Sequence, residues 1–226
     1  MADHDFFTET FESADACAGM AHAFLFRQPG IETQADKATV IERLAPGYRQ
    51  AVEALGFSWS QLQTAEQVHG KGIAIIEEPA GGMDLLPGVD GLITNEPDVL
   101  LGILVADCCA VYLIDPVQRA VGLMHSGKKG TELGITSAAI TLMHKRYGSD
   151  PSNLIVQLSP CIRPPQYEVD IASQIVKQAI AAGVPSSQVH DCGICTATNV
   201  DRYYSYRLEK GATGRMLALL GYPATN

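Results

Sequence analysis

Residues 91–125, GLITNEPDVLLGILVADCCAVYLIDPVQRAVGLMH, decide the fold class. Four short β-rich runs lie in them: Gly91 to Thr94, Leu100 to Val105, Val111 to Ile114 and Ala120 to His125, with turn residues between. Several are apolar at consecutive positions, as in strands covered on both faces. The most apolar window, Val99 to Ile114, is broken by Asp107 and falls short of the ~20 residues that cross a bilayer, so no membrane span is expected. Upstream, Ala21 to Arg27 and Ile73 to Ile76 read as strands. Asp36 to Leu55 reads as a helix with Asp36 as N-cap, interrupted at Pro46. Downstream, Thr131 to Tyr147 is the clearest amphipathic helix, Asn153 to Leu158 a strand, Asp170 to Ala182 a helix and Gly214 to Leu220 a short helix. This order predicts a mixed α/β (α+β) fold, a sandwich with a central mixed β-sheet flanked by helices.

The chain has 226 residues, enough for one sizeable domain or two small ones. No repeat, low-complexity tract or charge block marks a linker, so residues 1–226 read as a single domain with residues 1–20 as its loosest part. Sixteen Lys and Arg against twenty-five Asp and Glu give a net charge of −9. Such a surface repels phosphate backbones, so nucleic-acid binding is not expected, and any anion must be held locally. The amino terminus carries acids where a signal peptide needs basic and apolar residues, which points to the cytoplasm. Six cysteines are too sparse for a disulfide scaffold, and there they would remain thiols, free to pack, ligate or react.

His69, Cys108 and His125 each sit at the end of an apolar run beside small or turn-forming residues: EQVHGKG, VADCCAV and GLMHSGKKG. The gaps of 39 and 17 residues are too long for a local zinc finger, so the three converge only through the fold. A thiolate and two neutral imidazoles suit tetrahedral Zn²⁺, and three protein ligands leave a position open, as catalytic sites do. The same residues also allow Cys108 as a nucleophile with His125 as its base and no metal. A packed core role is the bland third reading. A blue-copper centre fits the ligand types, but nothing else suggests electron transfer. Six histidines, none in a His-x-His pair, cannot ligate a multicopper cluster.

Gly122 to Lys129, GLMHSGKK, nearly matches the phosphate loop G-x-x-x-x-G-K-[ST], but Lys129 stands where a hydroxyl should hold magnesium. What remains is either an anion pocket made of Lys128, Lys129 and a helix start, or a solvated basic turn. The pair Cys192 and Cys195 lacks the second pair of a zinc ribbon and reads as packing. RYYSYRLEKGATGRM sets Arg202, Arg207 and Arg215 among tyrosines, a set that either grips a phosphate or a planar base or decorates an ordinary surface, and RPPQYEVD reads as a turn entering a strand or helix.

Taken together, QVHG (67–70), DGLIT (90–94), ADC (106–108), HSGKKG (125–130), YEV (167–169), YSYR (204–207) and TGRM (213–216) resemble the motif series of the YfiH family. This family comprises the laccase-domain or polyphenol-oxidase-like proteins, also described as purine nucleoside phosphorylases and peptidoglycan editing factors. The motifs span about Ala21 to Leu220. The resemblance implies a YfiH-like sandwich, with His69, Cys108 and His125 as zinc ligands and Arg27, in FLFRQPG, holding an anionic or sugar group. It implies a zinc-dependent purine nucleoside phosphorylase acting on adenosine, inosine or methylthioadenosine, with an adenosine deaminase side activity. The catalytic set would be Cys108, His125, Arg27, Lys128 and Lys129, the partners a small-molecule nucleoside and phosphate, and the protein a monomer. Two alternatives remain: a peptidoglycan-precursor editing amidohydrolase using Cys108 and His125, and a degenerate non-catalytic member that binds a metabolite. The family's usual HAGWRG is HSGKKG here, which keeps positive charge but loses an aromatic wall.

Overall fold

The computed structural model describes residues 8–79 and 81–224. The strands are β1 (Thr8–Glu9), β2 (Ala21–Leu25), β3 (Leu62–Ala65), β4 (Ile73–Ile75), β5 (Leu85–Leu86), β6 (Gly91–Thr94), β7 (Leu100–Val105), β8 (Cys109–Asp115), β9 (Ala120–Ser126), β10 (Ile155–Leu158), β11 (Val189–Asp191) and β12 (Met216–Gly221). The helices are α1 (Glu12–Asp15), α2 (Lys37–Ala54), α3 (Lys128–Glu132), α4 (Ile135–Tyr147) and α5 (Ile171–Ala181). Instead of one central sheet there are two mixed six-stranded sheets, ordered β1-β2-β12-β7-β3-β5 and β11-β10-β8-β9-β6-β4.

Strand β8 shows why the central runs are apolar throughout. Ala110, Tyr112 and Ile114 share a core with Phe24, Leu101 and Ile103 of the first sheet. Cys109, Val111 and Leu113 join Ile140 and Met143 of α4 and Ile175 of α5. Successive side chains point to opposite faces, and both faces are covered, so no position has to be polar. The Tyr112 hydroxyl, buried within this core, donates to the Ala23 carbonyl at 2.9 Å. Leu44, Tyr48 and Val52 of α2 join the core of the first sheet.

Three sequence expectations need correction. Pro46 does not interrupt the second helix: α2 runs through it because Pro46 lies on its exposed face, while Leu44, Tyr48 and Val52 anchor the opposite one. The helix expected from Thr131 to Tyr147 begins at Lys128 and is divided at Gly134, which has φ 78°. Residues Met216 to Gly221 form β12, not a helix, paired between β2 and β7. The apolar run LALL suits either element, and pairing on both sides decides it. Within residues 8–20, β1 pairs with β2, and Phe11, Ala14 and Cys17 are buried. Residues 1–7 lie outside the described residues.

Candidate metal centre

β3 and β7 run parallel, and β7, β8 and β9 meet so that the end of β7, the start of β8 and the end of β9 fall together. Cys108 lies between β7 and β8, His125 on β9, and His69 on the loop after β3. The three donor atoms lie within 4.8 Å of one another. The two imidazoles stand edge to face with centroids 4.8 Å apart. Burial is graded across the set, from exposed His69 through half-buried Cys108 to buried His125.

Asp90, the first residue of DGLIT, organises this cluster and is fully buried. Its Oδ1 accepts from the His69 N–H and from His125 Nδ1, both at 2.8 Å, and its Oδ2 accepts from the Gly70 N–H at 2.7 Å. Since Nδ1 must donate to a carboxylate, Nε2 is the His125 nitrogen left to face Cys108. Burial alone would raise the Asp90 carboxyl, yet these hydrogen bonds hold it below its ordinary value. Gln67 ties the His69 loop down: its amide donates to Leu104 O at 2.6 Å and accepts from Leu104 N at 2.9 Å. It thereby stands in for a neighbouring strand on β7.

Burial also pushes the Cys108 thiol up, but the facing His125 and His69 imidazoles outweigh it and bring the thiol to about 6. Burial opposes charge on His125 too, and there the Cys108 thiolate with Asp90 prevails, raising the imidazole to about 9. At neutral pH the two form a thiolate–imidazolium pair, and a cation entering the site displaces the His125 proton. Gly127 completes the cradle. A Cβ at this position would sit 2.6 Å from Cys108 Sγ and 3.4 Å from His69 Cδ2. The donor set, its orienting carboxylate and this clearance fit a metal ion. Gly127→Ala should therefore lower metal affinity at least tenfold, as a disturbed ligand shell does, with little change in melting temperature. Competition with a chelator checks this, and unchanged affinity would contradict the cradle.

The cluster lies in the wall of a cavity of about 990 Å³, at the upper end of the ~300–1,000 Å³ typical of small-molecule sites. Six cations line it: Lys37, Lys128, Lys129, Arg207, Lys210 and Arg215. The structure thus brings Lys128 and Lys129 to the same cavity as the three candidate ligands. Arg27 is a different matter and is not among the lining residues. Its guanidinium pairs with Glu209 at 2.7 Å and lies over the Tyr204 ring at 4.2 Å, so its charge is spent inside the fold. The short α3, about one and a half turns, adds little helix dipole, so the loop's attraction for anions rests on its lysines.

Sequence reasoning gave Asp90, Gln67, Gly127 and Lys37 no role. An acid placed directly before a buried strand was the available signal for Asp90. Tyr167, in the RPPQYEVD turn and the YEV motif, precedes α5. Its ring faces the cavity, with the Arg207 guanidinium 5.4 Å from the ring centroid.

A two-sheet α+β fold with a His–Cys–His donor set in the wall of a basic cavity defines a metal-competent small-molecule site. The chain belongs to the family described as multi-copper polyphenol oxidoreductase laccase, whose sequence pattern matches residues 29–174 and 169–223. It is 32% identical to a purine nucleoside phosphorylase, YlmD, of Geobacillus stearothermophilus, over 76% of each chain. The crystal structure of YlmD from that organism superposes with a TM-score of 0.81 at 27% identity, covering 96% of this chain and 99% of the other. The Bacillus licheniformis hypothetical protein YfiH shares the fold with a TM-score of 0.77 at 24% identity, over 89% and 92% of the two chains. Among the described residues His69, Cys108 and His125 are the one such donor group, so the described chain offers ligands for a single centre. No described helix is long and apolar enough to cross a membrane.

Proposed function

We propose that this chain is a zinc-dependent purine nucleoside phosphorylase, converting adenosine, inosine or methylthioadenosine and phosphate to free base and sugar 1-phosphate, with adenosine deamination as a side activity. One observation carries the reading: in a chain of net charge −9, six cationic side chains converge on the cavity whose wall holds the His–Cys–His set. An acidic protein that gathers positive charge at one place is built to take a small anion there. The relatives named purine nucleoside phosphorylase support the choice of nucleoside and phosphate.

His69, Cys108 and His125 would hold the zinc, which when bound supplies a Lewis acid that polarises a substrate atom or activates water. Asp90 keeps the His125 ring oriented. Tyr167, backed by Arg207, offers a face for a planar base and takes the part of the aromatic missing from HSGKKG. Lys128 and Lys129 add charge that draws phosphate toward the anomeric carbon, and holding the two reactants together removes much of the entropic barrier. We further read the protein as a single-domain cytoplasmic monomer.

The test is metal-loaded protein with adenosine, assayed with and without phosphate. Phosphate-dependent release of adenine and ribose 1-phosphate is expected, with slower formation of inosine. Absence of adenine, hypoxanthine, inosine and ribose 1-phosphate would remove the proposal. Stabilisation by nucleoside without turnover would instead indicate a non-catalytic binder.

A second reading rests on the thiolate–imidazolium character of Cys108 and His125, which suits nucleophilic cleavage of an amide in peptidoglycan precursors. Turnover by metal-free protein together with a covalent adduct on Cys108 would favour it. Turnover that vanishes with the metal would not.

A further inference from the structure

The six cations of the cavity differ in what opposes them. Glu168 lies between Lys128, at 3.9 Å, and Arg207, at 3.3 Å, so those two charges are matched. Lys129, Lys210 and Lys37 are exposed, where water screens them, and Lys37 stands out by feeling the charge of Arg215. Arg215 is half-buried, and among the described residues no carboxylate forms an ion pair with it. Its Nη1 donates to Thr213 O at 3.1 Å and Gly214 O at 2.8 Å, which fixes the guanidinium while Nε and Nη2 keep their N–H groups unspent. The Tyr48 hydroxyl holds the backbone beneath it by donating to Arg215 O at 2.7 Å.

Lys37, the first residue of α2, lines the same cavity and likewise has no ion-pair partner among the described residues. Burial, and then the charge of Arg215, keep its ammonium below the ordinary value, with Glu66 opposing them. Two positive groups that feel each other across a cavity, one of them rigid and partly desolvated, are electrostatically incomplete without an anion. A guanidinium edge with free N–H groups matches the oxygens of a tetrahedral oxyanion, and an ammonium beside it adds a mobile point charge.

We propose that Arg215, assisted by Lys37, forms the phosphate subsite of this cavity. Lys128 and Lys129 then draw phosphate in toward this subsite, while Glu168 pairs with Lys128 and Arg207. The naming of the anion rests on the phosphorylase reading, whereas the subsite itself rests on the two unmatched cations.

Calorimetric titration of inorganic phosphate into the purified full-length protein tests this directly. Arg215→Gln should raise the dissociation constant by about tenfold or more, the loss expected for a charged hydrogen-bond donor, and Lys37→Gln by severalfold. Lys177→Gln, on the exposed face of α5, serves as the surface-charge control and should leave binding unchanged. In turnover the same two variants should raise KM for phosphate and leave KM for nucleoside alone. Phosphate affinity of Arg215→Gln within twofold of wild type, or no phosphate binding by wild type, would overturn the subsite. If Arg215→Gln does not fold, Lys37→Gln decides, since Lys37 is exposed and unchanged affinity there counts against the proposal. Phosphate binding that depends on Arg215 in a protein that cleaves no nucleoside would sink the phosphorylase reading and leave the subsite standing. Phosphate-dependent cleavage unaffected by Arg215→Gln would do the reverse.

Discussion

His125→Ala is expected to reduce zinc affinity by about a hundredfold or more, and nucleoside turnover with it. Three protein ligands become two, and the loss of a direct ligand should exceed the ~10–100-fold seen when only an outer-shell partner is removed. The same change deprives the buried Asp90 carboxylate of one of its three hydrogen-bond donors, at a cost of about 1–3 kcal/mol, so stability must be followed in parallel. His69→Ala separates the two effects, because His69 is exposed and its backbone N–H still donates to Asp90. It should lose most of the metal while melting close to wild type. Metal content after dialysis against a weak chelator gives the answer. If both variants retain zinc stoichiometrically, the cluster is not a metal centre.

Asp107→Ala should destabilise the protein by about 3–5 kcal/mol, because three buried or part-buried donors lose their acceptor at about 1–3 kcal/mol each. Asp107 is buried at φ 79° in the turn before Cys108. Its Oδ1 accepts from Thr196 Oγ1 at 2.7 Å, while Oδ2 accepts from Ser205 Oγ at 3.0 Å and Arg207 N at 2.7 Å. Its carbonyl accepts from Ile162 N at 2.8 Å. One carboxylate thus joins the β7–β8 turn to the segments that carry Thr196 and Tyr206–Arg207. Alanine leaves three donors without their acceptor and frees the basic loop at the cavity mouth. Asp107→Asn keeps the shape and should cost less. Urea unfolding measures both, and a change below about 0.5 kcal/mol in the Ala variant would show that the junction is not under load.

Much of the site was legible before any coordinates, for a chemical reason. Histidine and cysteine at the ends of apolar runs are few in this chain, so His69, Cys108 and His125 stood out despite their separation. Their supports were less visible. Asp90 is an ordinary acid until the fold buries it under two histidines, and Gly127 is an ordinary glycine until Cys108 Sγ lies where its Cβ would be. Arg27 is a charged residue in a recognisable motif, and the sequence gives no sign that Glu209 pairs with it across the fold.

The residue order by itself determined the mixed α+β class, most of the central strands and the types of donor that can meet around a cation, because these follow from local periodicity and side-chain chemistry. Tertiary structure alone decided that the apolar run at 216–221 is a strand, that α2 continues through Pro46, that there are two sheets and which cations remain unmatched. Those outcomes depend on partners far away in the chain: strand pairing overrides local propensity, and a charge acquires its meaning from whatever the fold places beside it.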